Sequence, residues 1–255
     1  MSKNIDNVCL VPSNLVLPDI GYKYREININ LLRSLQHNEI WFAQLESFND
    51  PFEPARIFSE TPYGNALKID IDRSGVLCLC KSNLNLPMWS YYGNGLRGIT
   101  VGYNTKELLK TLEPAYPHNN ERTPRWRYVF DMKYDDKDLG QIEEMKLLLN
   151  NELTDLERQK MFATKSNVYN HEEEFRIVIQ PQATFLDENP KPQWLSTSGL
   201  YKHSPDSIQE IVFGELCSIA DKKLIKQILI NKKINYKEAI RSKNSFKIEL
   251  RDDLE

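Results

Sequence analysis

The sequence predicts an α+β fold in a single domain, and three observations predict it. Strand-length β-branched and aromatic runs and helical stripes follow one another without the steady strand–helix–strand alternation that builds a doubly wound sheet. At 255 residues, with 40% hydrophobic and 27% charged side chains, the chain can bury a sizeable core and suits one large domain. No repeat, low-complexity tract or linker divides it. The organisation is then a loose lead-in over residues 1–21, polar and punctuated by Pro12 and Pro18, followed by one domain over residues 22–255.

Taken in order, Tyr22, Lys23, Tyr24 and Arg25 form a short strand with the two tyrosines on one face and the two cations on the other. Asn28 caps a helix through residue 36, with Leu31, Leu32 and Leu35 at helical spacing. Residues 40–43 are a second strand. It leads into residues 47–53, where Asn49, Asp50 and Pro51 rigidify a corner that also holds Phe48 and Phe52. Residues 76–80 read as a buried strand, and residues 86–93 as one or two helical turns with proline at the start and glycine at the end. Residues 98–103 are a strand, after which Thr105 opens a helix to residue 112. Residues 114–124 are a polar insertion, followed by a strand or hairpin over 128–134. The longest helix is expected over 142–165, on a stripe of Met145, Leu148, Leu149, Leu153 and Leu156. Residues 208–214 form a strand, Ser218 caps a helix to about residue 230, and residues 246–250 are a last strand.

Residues 171–179 organise the rest. Strand alternation puts Glu172, Glu174, Arg176 and Val178 on one face and Glu173, Phe175, Ile177 and Ile179 on the other. A core strand has no need to open on two carboxylates beside an arginine, and such neighbours alter one another's ionisation. These residues alone leave open an edge strand with an ordinary ion pair. A second cluster, Arg125, Trp126 and Arg127, places arginines beside an aromatic ring, a combination that stacks on bases and holds phosphates. A solvated rim fits the same residues.

Net charge of −3 and a pI near 5.9 give no overall field that draws nucleic acid or an anionic membrane, so any polyanion contact must be local. The four cysteines, Cys9, Cys78, Cys80 and Cys217, form no CxxC pair and read as buried thiols in a reducing compartment. No metal-ligand set is expected. Without a basic-then-apolar leader or a bilayer-length apolar run, the chain is expected to be soluble and cytoplasmic, with no membrane partner.

Several pieces in order resemble a bacterial family catalogued as domain of unknown function 2971. They are Tyr22 to Arg25 in sequence, residues 35–42 leading into 48–53, residues 88–92 with Gly98, Phe162 with Lys165, residues 172–176 and residues 211–214. Together they span roughly residues 22–215. One departure is the asparagine-rich segment 167–170, with Tyr169 where the family usually carries a tryptophan nearby. The motif order is in turn similar to the ADP-ribosyltransferase arrangement: a basic residue on an early strand, an aromatic or serine site mid-chain, and a glutamate on a later strand. That resemblance implies a catalytic-type domain with a mixed or split antiparallel sheet and flanking helices. Its catalytic set would be Glu172, Glu174 and Arg25, with Tyr24, Arg25, Trp89, Ser90 and Tyr92 binding NAD as co-substrate. A carboxylate near the ribose would steady the positive charge that grows as the nicotinamide bond breaks. Aromatic walls would hold the nicotinamide ring, and Arg25 the diphosphate.

The implied activity is transfer of ADP-ribose to a macromolecular acceptor, RNA or DNA favoured over protein, with Arg125, Trp126 and Arg127 binding it. A bacterial toxin or antiphage effector, with an antitoxin partner, fits that activity. Two other readings stay open. One is a non-catalytic module binding a peptide or nucleotide, its glutamates only anchoring arginines. The other is a nuclease gathering a divalent metal through Asp50, Glu53 and the glutamate pair.

Overall fold

The computed structural model describes residues 9–10, 15–53, 68–69, 71–115, 125–136, 155–181 and 196–253. Its strands are β1 (Cys9–Leu10), β2 (Ile20–Arg25), β3 (Glu39–Phe42), β4 (Gly75–Cys80), β5 (Ile99–Asn104), β6 (Glu113–Pro114) and β7 (Arg125–Asp131). Then follow β8 (Lys133–Tyr134), β9 (Thr164–Lys165), β10 (Glu174–Pro181), β11 (Gly199–Lys202), β12 (Ile208–Gly214), β13 (Asn235–Arg241) and β14 (Ile248–Asp252). The helices are α1 (Ile29–His37), α2 (Leu86–Tyr91), α3 (Thr105–Thr111), α4 (Asp155–Phe162) and α5 (Ile219–Ile228).

Nine strands of the described residues form one mixed sheet, in the order β1-β7-β10-β4-β2-β5-β12-β13-β14. The β1–β7 and β12–β13 pairs are parallel and the others antiparallel. With its flanking helices this is the α+β single domain that the lack of βαβ alternation predicts. Alternation along each strand sorts the side chains. One face carries Leu77, Leu79, Ile99, Val101, Phe175, Ile177 and Phe213, covered by α1, α3 and α5 through Leu31, Leu35, Leu108 and Ile225. The opposite face holds two smaller cores. Val76, Tyr128, Phe130 and Val178 pack on Met161 and Phe162, whereas Tyr24, Cys80 and Val212 pack on Met88 and Trp89.

The sheet is weakest between its halves. β10 pairs with β4 over six residues, yet β2 meets β4 only where Tyr22 lies opposite Cys80. Beyond that pair the strands fork, and Lys23 Nζ donates to the Cys78 carbonyl at 3.0 Å in place of a ladder bond. Three asparagines fix helix starts: Asn28, Asn85 and Asn104 accept from the amides of Leu31, Met88 and Glu107.

Several boundaries differ from expectation. β10 is an interior strand that begins at Glu174, so the edge-strand reading is corrected; Glu172 ends a 3₁₀ turn (Asn167–Glu172) instead. The helix expected over 142–165 lies outside the described residues as far as 154. Its end is not helical, because Thr164 and Lys165 leave the helix to pair with β8. The lead-in contributes β1, paired with Arg127 and Tyr128, and the rest of residues 1–14 lies outside the described residues. The described part of the insertion, 114–115, continues β6; residues 116–124 lie outside. β11 and β13 had no clear sequence signal.

Gly98 holds the fork's C-terminal end. A β-carbon there would lie 2.2 Å from the Arg25 carbonyl oxygen and 2.9 Å from that of Gly93. Both obstacles are backbone, so Gly98→Ala is expected to cost about 1–3 kcal/mol as overpacking. Urea unfolding measures it; an unchanged midpoint would show that β2 yields freely.

Candidate functional site

The site lies over the fork, between the two small cores. A partly enclosed cavity of about 210 Å³ is walled by Tyr22, Tyr24, Phe48, Met88 and Tyr92 and floored by charged groups. Each charge is placed by a local feature. Arg176 and Glu174 point to this face by strand alternation. Lys165 follows Phe162 by way of β9, which β8 holds in register through Tyr134 opposite Lys165. Glu172 closes the 3₁₀ turn that Ser166 caps and Asp136 anchors, at 2.7–3.0 Å to Ser166 and Asn167. Glu53 arrives from the rigid corner, where Asp50 Oδ1 accepts from the Phe52 amide at 2.9 Å.

The two glutamates flank Glu173, a non-glycine residue in the left-handed region at φ 44°. Such a conformation costs about 1–3 kcal/mol and persists only when its surroundings impose it. Here the Glu173 amide donates to Asn170 O and its carbonyl accepts from the Lys81 amide. The reversal separates Glu172 from the strand while keeping its carboxylate beside that of Glu174.

Three carboxylates and two cations then form one buried network. Arg176, 0% exposed, donates from Nε to Glu174 Oε1 at 2.7 Å, and its Nη1 lies 2.6 Å from Glu53 Oε2. The same Nη1 donates to the Phe162 carbonyl at 2.6 Å. Lys165 Nζ lies 2.8 Å from Glu172 Oε2 and 3.2 Å from Glu53 Oε1. Phe48 covers the guanidinium at 5.0 Å, and Tyr169 the ammonium at 4.2 Å. The Tyr92 hydroxyl donates to Glu172 Oε1 at 3.4 Å and accepts from Asn49 Nδ2 at 3.3 Å. Tyr134 accepts from the Glu174 amide at 3.0 Å.

Burial raises the Glu172 carboxyl above its ordinary value; Lys165 opposes that, and Glu174 adds to it. Burial acts on Glu174 in the same sense, but Arg176 outweighs it and holds that carboxyl below its ordinary value. Burial also disfavours the Lys165 ammonium, yet Glu53, Glu174 and Glu172 together keep its pKa above the usual lysine value. Tyr22, buried and near Glu210, is pushed up to about 12 and stays a neutral wall.

The other expected site residues fall in several places. Tyr24 lines the cavity, its hydroxyl donating to Ser82 O and accepting from the Asn85 amide. Trp89 is not a wall. It is 0% exposed, tied through Nε1 to Asn83 O and set edge-on to Tyr24 at 5.3 Å, so it supports the ring that is. Arg25 and Ser90 line a second, more open hollow of about 510 Å³ with Asn28, Tyr91 and Arg97, and Tyr24 and Tyr92 form the lip between the two. The cations facing the glutamates are therefore Arg176 and Lys165, and Arg25, expected in the catalytic set with them, lies in the second hollow.

Arg127 is 3% exposed and donates to the carbonyls of Leu109 and Leu112 at the end of α3, so it is not available to a phosphate. The side chains of Arg125 and Trp126 lie outside the described residues. Asp50 is used in its own turn. No group of three or more His, Cys, Asp or Glu side chains among the described residues is placed to hold a metal. Tyr22 was not singled out for this site, and Glu53 was grouped with the glutamate pair only as a metal ligand in the nuclease reading. Glu53 follows two phenylalanines in a turn-rich corner, and only its burial shows its use.

Fold and site together define an α+β domain built on a buried charge cluster beside an aromatic-walled cavity. The family model described as a protein of unknown function (DUF2971) matches residues 88–177, so that stretch of the chain is similar to that family. The matched stretch contains Lys165, Glu172, Glu174 and Arg176, whereas Glu53 and β2 lie outside it. No curated protein and no solved structure is significantly similar to the chain. No helix among the described residues is long and apolar enough to cross a membrane.

Because the folded state holds Glu174 below its ordinary value, its stabilising effect is full above the unfolded-state pKa. That effect is lost as pH falls through the folded-state value. Glu174→Gln is expected to cost about 3 kcal/mol near neutral pH, since it leaves part of a buried guanidinium unpaired. The gap to the parent should narrow as pH drops below 4.5. Urea unfolding between about pH 3 and about pH 7 measures both; a gap that does not change with pH contradicts the linkage.

Proposed function

We propose that the protein cleaves the nicotinamide–ribose bond of NAD and transfers ADP-ribose to a macromolecule. The observation that carries this reading is Glu172: a carboxylate inside a small aromatic-walled cavity, held by one lysine and one tyrosine hydroxyl. Breaking a glycosidic bond to nitrogen leaves positive charge on the sugar, and a carboxylate held beside the sugar stabilises that charge as it forms. Nicotinamide departs with the bond's electron pair. The acceptor's lone pair then closes on the anomeric carbon, and its proton passes to Glu172.

A cavity of about 210 Å³ suits one flat ring and its sugar, and is smaller than a pocket for a whole dinucleotide. The remainder of NAD crosses the Tyr24–Tyr92 lip into the second hollow, where Arg25 meets the diphosphate. Glu172 is the residue at the sugar. Glu174, engaged by Arg176 through both carboxylate oxygens, at 2.7 and 3.4 Å, anchors the floor.

A nucleic acid is the first acceptor to try, in keeping with a toxin or antiphage effector and an antitoxin partner. Since Arg127 is spent inside the fold, the basic–aromatic cluster no longer supports that choice as a unit. One observation favours a non-catalytic peptide- or nucleotide-binding module: Glu53, Glu172 and Glu174 all have ion-pair partners already.

Turnover decides between them. Glu172→Gln is expected to slow nicotinamide release from NAD by about a hundredfold or more. Arg25→Ala is expected to raise KM about tenfold with little change in kcat, as loss of a charged hydrogen bond implies. If the parent releases no nicotinamide, or Glu172→Gln releases it equally fast, the reading is wrong. Labelled NAD in whole-cell extract, treated afterwards with protease or nuclease, names the acceptor class.

A further inference from the structure

Glu53 has no place in the chemistry above, yet it is 1% exposed and joins the two cations of the floor. Its Oε1 lies 3.2 Å from Lys165 Nζ and its Oε2 2.6 Å from Arg176 Nη1. A carboxylate serving only to neutralise Arg176 would not need to reach Lys165 as well. By reaching both, Glu53 competes with Glu172 for one ammonium and links the Lys165–Glu172 pair to the Arg176–Glu174 pair.

We propose that Glu53 is a positioning residue that divides the Lys165 ammonium between two carboxylates and so sets the charge on Glu172. The inference deepens the proposed reading of the site and takes its chemistry from it. The groups facing Glu172 come from every element around it: Glu53 from the corner, Lys165 from β9, Glu174 and Arg176 from β10, Tyr92 after α2 and Tyr134 from β8. The Cys80 thiol of β4 is raised by burial and stays neutral. Arg176 and Glu174 neutralise each other, so the balance at Glu172 turns on how fully Lys165 belongs to it.

The same corner carries Phe48 onto Arg176 and Asn49 onto Tyr92. Its seating therefore sets both a wall of the cavity and the charge beneath it. Removing the Glu53 charge leaves Lys165 wholly to Glu172 and takes away a like charge, and both effects favour the ionised carboxylate.

Carboxyl-carbon NMR on protein labelled at the glutamate δ-carbon tests this without any turnover. The Glu172 signal is assigned by its loss in Glu172→Gln. In Glu53→Gln its titration midpoint is expected to fall by about one pH unit. Glu53→Asp, which keeps the charge but reaches only one cation at a time, serves if Glu53→Gln does not fold, with a smaller fall in the same direction. A midpoint that stays in place, in whichever variant folds, overturns the proposal, because a purely structural Glu53 would lower stability alone. If the midpoint falls but the parent cleaves no NAD, the positioning role stands and the NAD reading fails. If NAD is cleaved and the acid limb of its pH profile is the same in the variant, the positioning role fails.

Discussion

A guanidinium with no solvent contact must find its counter-charges inside the fold, and the placement of Arg176 obliges the elements around it to converge. Taking such a charge out of water costs several kcal/mol unless partners of good geometry compensate it. Strand alternation supplies Glu174 two residues earlier on the same face. The Phe162 carbonyl, at the end of α4, accepts a further hydrogen bond. Glu53 supplies the remaining carboxylate, which draws the 47–53 corner down against the sheet. Once Glu53 is there, its second oxygen takes Lys165, and Lys165 fixes Glu172. Four side chains from four segments are thus ordered by one buried cation and the requirement that nothing around it be left unpaired.

The fork between β2 and β4 gives that network something to face. A fully paired ladder there would bring Tyr22 and Tyr24 against Cys78 and Cys80 and fill the space with side chains. Instead the strands separate after one residue pair, and Lys23 satisfies the stranded Cys78 carbonyl. The opening leaves a cavity of about 210 Å³ beside the tyrosines, and it is closed below by charge rather than by aliphatic groups. Trp89 and Met88 keep it open by packing beneath Tyr24, and the Gly98 backbone contact holds the end of β2. Cavity and network share one cause: the two halves of the sheet carry separate small cores on this face, and the site occupies the seam.

Local signals made much of this legible. The strand cores at 76–80, 98–103, 174–179 and 208–214 follow from β-branched alternation, and two helices begin at the asparagine or serine that the sequence offers as a cap, at residues 28 and 218. What was not legible depends on distant partners. Glu172 carries the same alternation as Glu174, but Glu173 reverses the backbone and starts the strand later. Trp89 sits among residues that line the hollows, and only the Asn83 carbonyl beneath it explains why its indole turns inward. Arg127 resembles a surface cation because a seven-residue helix ending at Thr111, whose last carbonyls need donors, is remote in sequence. Glu53, read from the sequence only as a metal ligand, needed two cations from beyond residue 160 to show its ion pairs.

Two acidic groups two residues apart in the chain have been given opposite environments, and this separates their roles more firmly than position does. Glu174 is engaged at both oxygens by a fully buried guanidinium and is held ionised. Glu172 has a lysine that it shares with Glu53 and a tyrosine hydroxyl at 3.4 Å, and burial lifts its carboxyl. Neighbouring carboxyls whose environments push them apart in this way divide into a fixed charge and an adjustable one. A fixed charge suits a floor, where any change would unpair Arg176. An adjustable one suits a wall, where a new contact or an incoming proton can be accommodated at modest cost. Glu173, strained at φ 44° between them, is what allows adjacent positions to differ so much. Relaxed to an extended conformation, it would return Glu172 to the strand face and to competition with Glu174 for the same guanidinium.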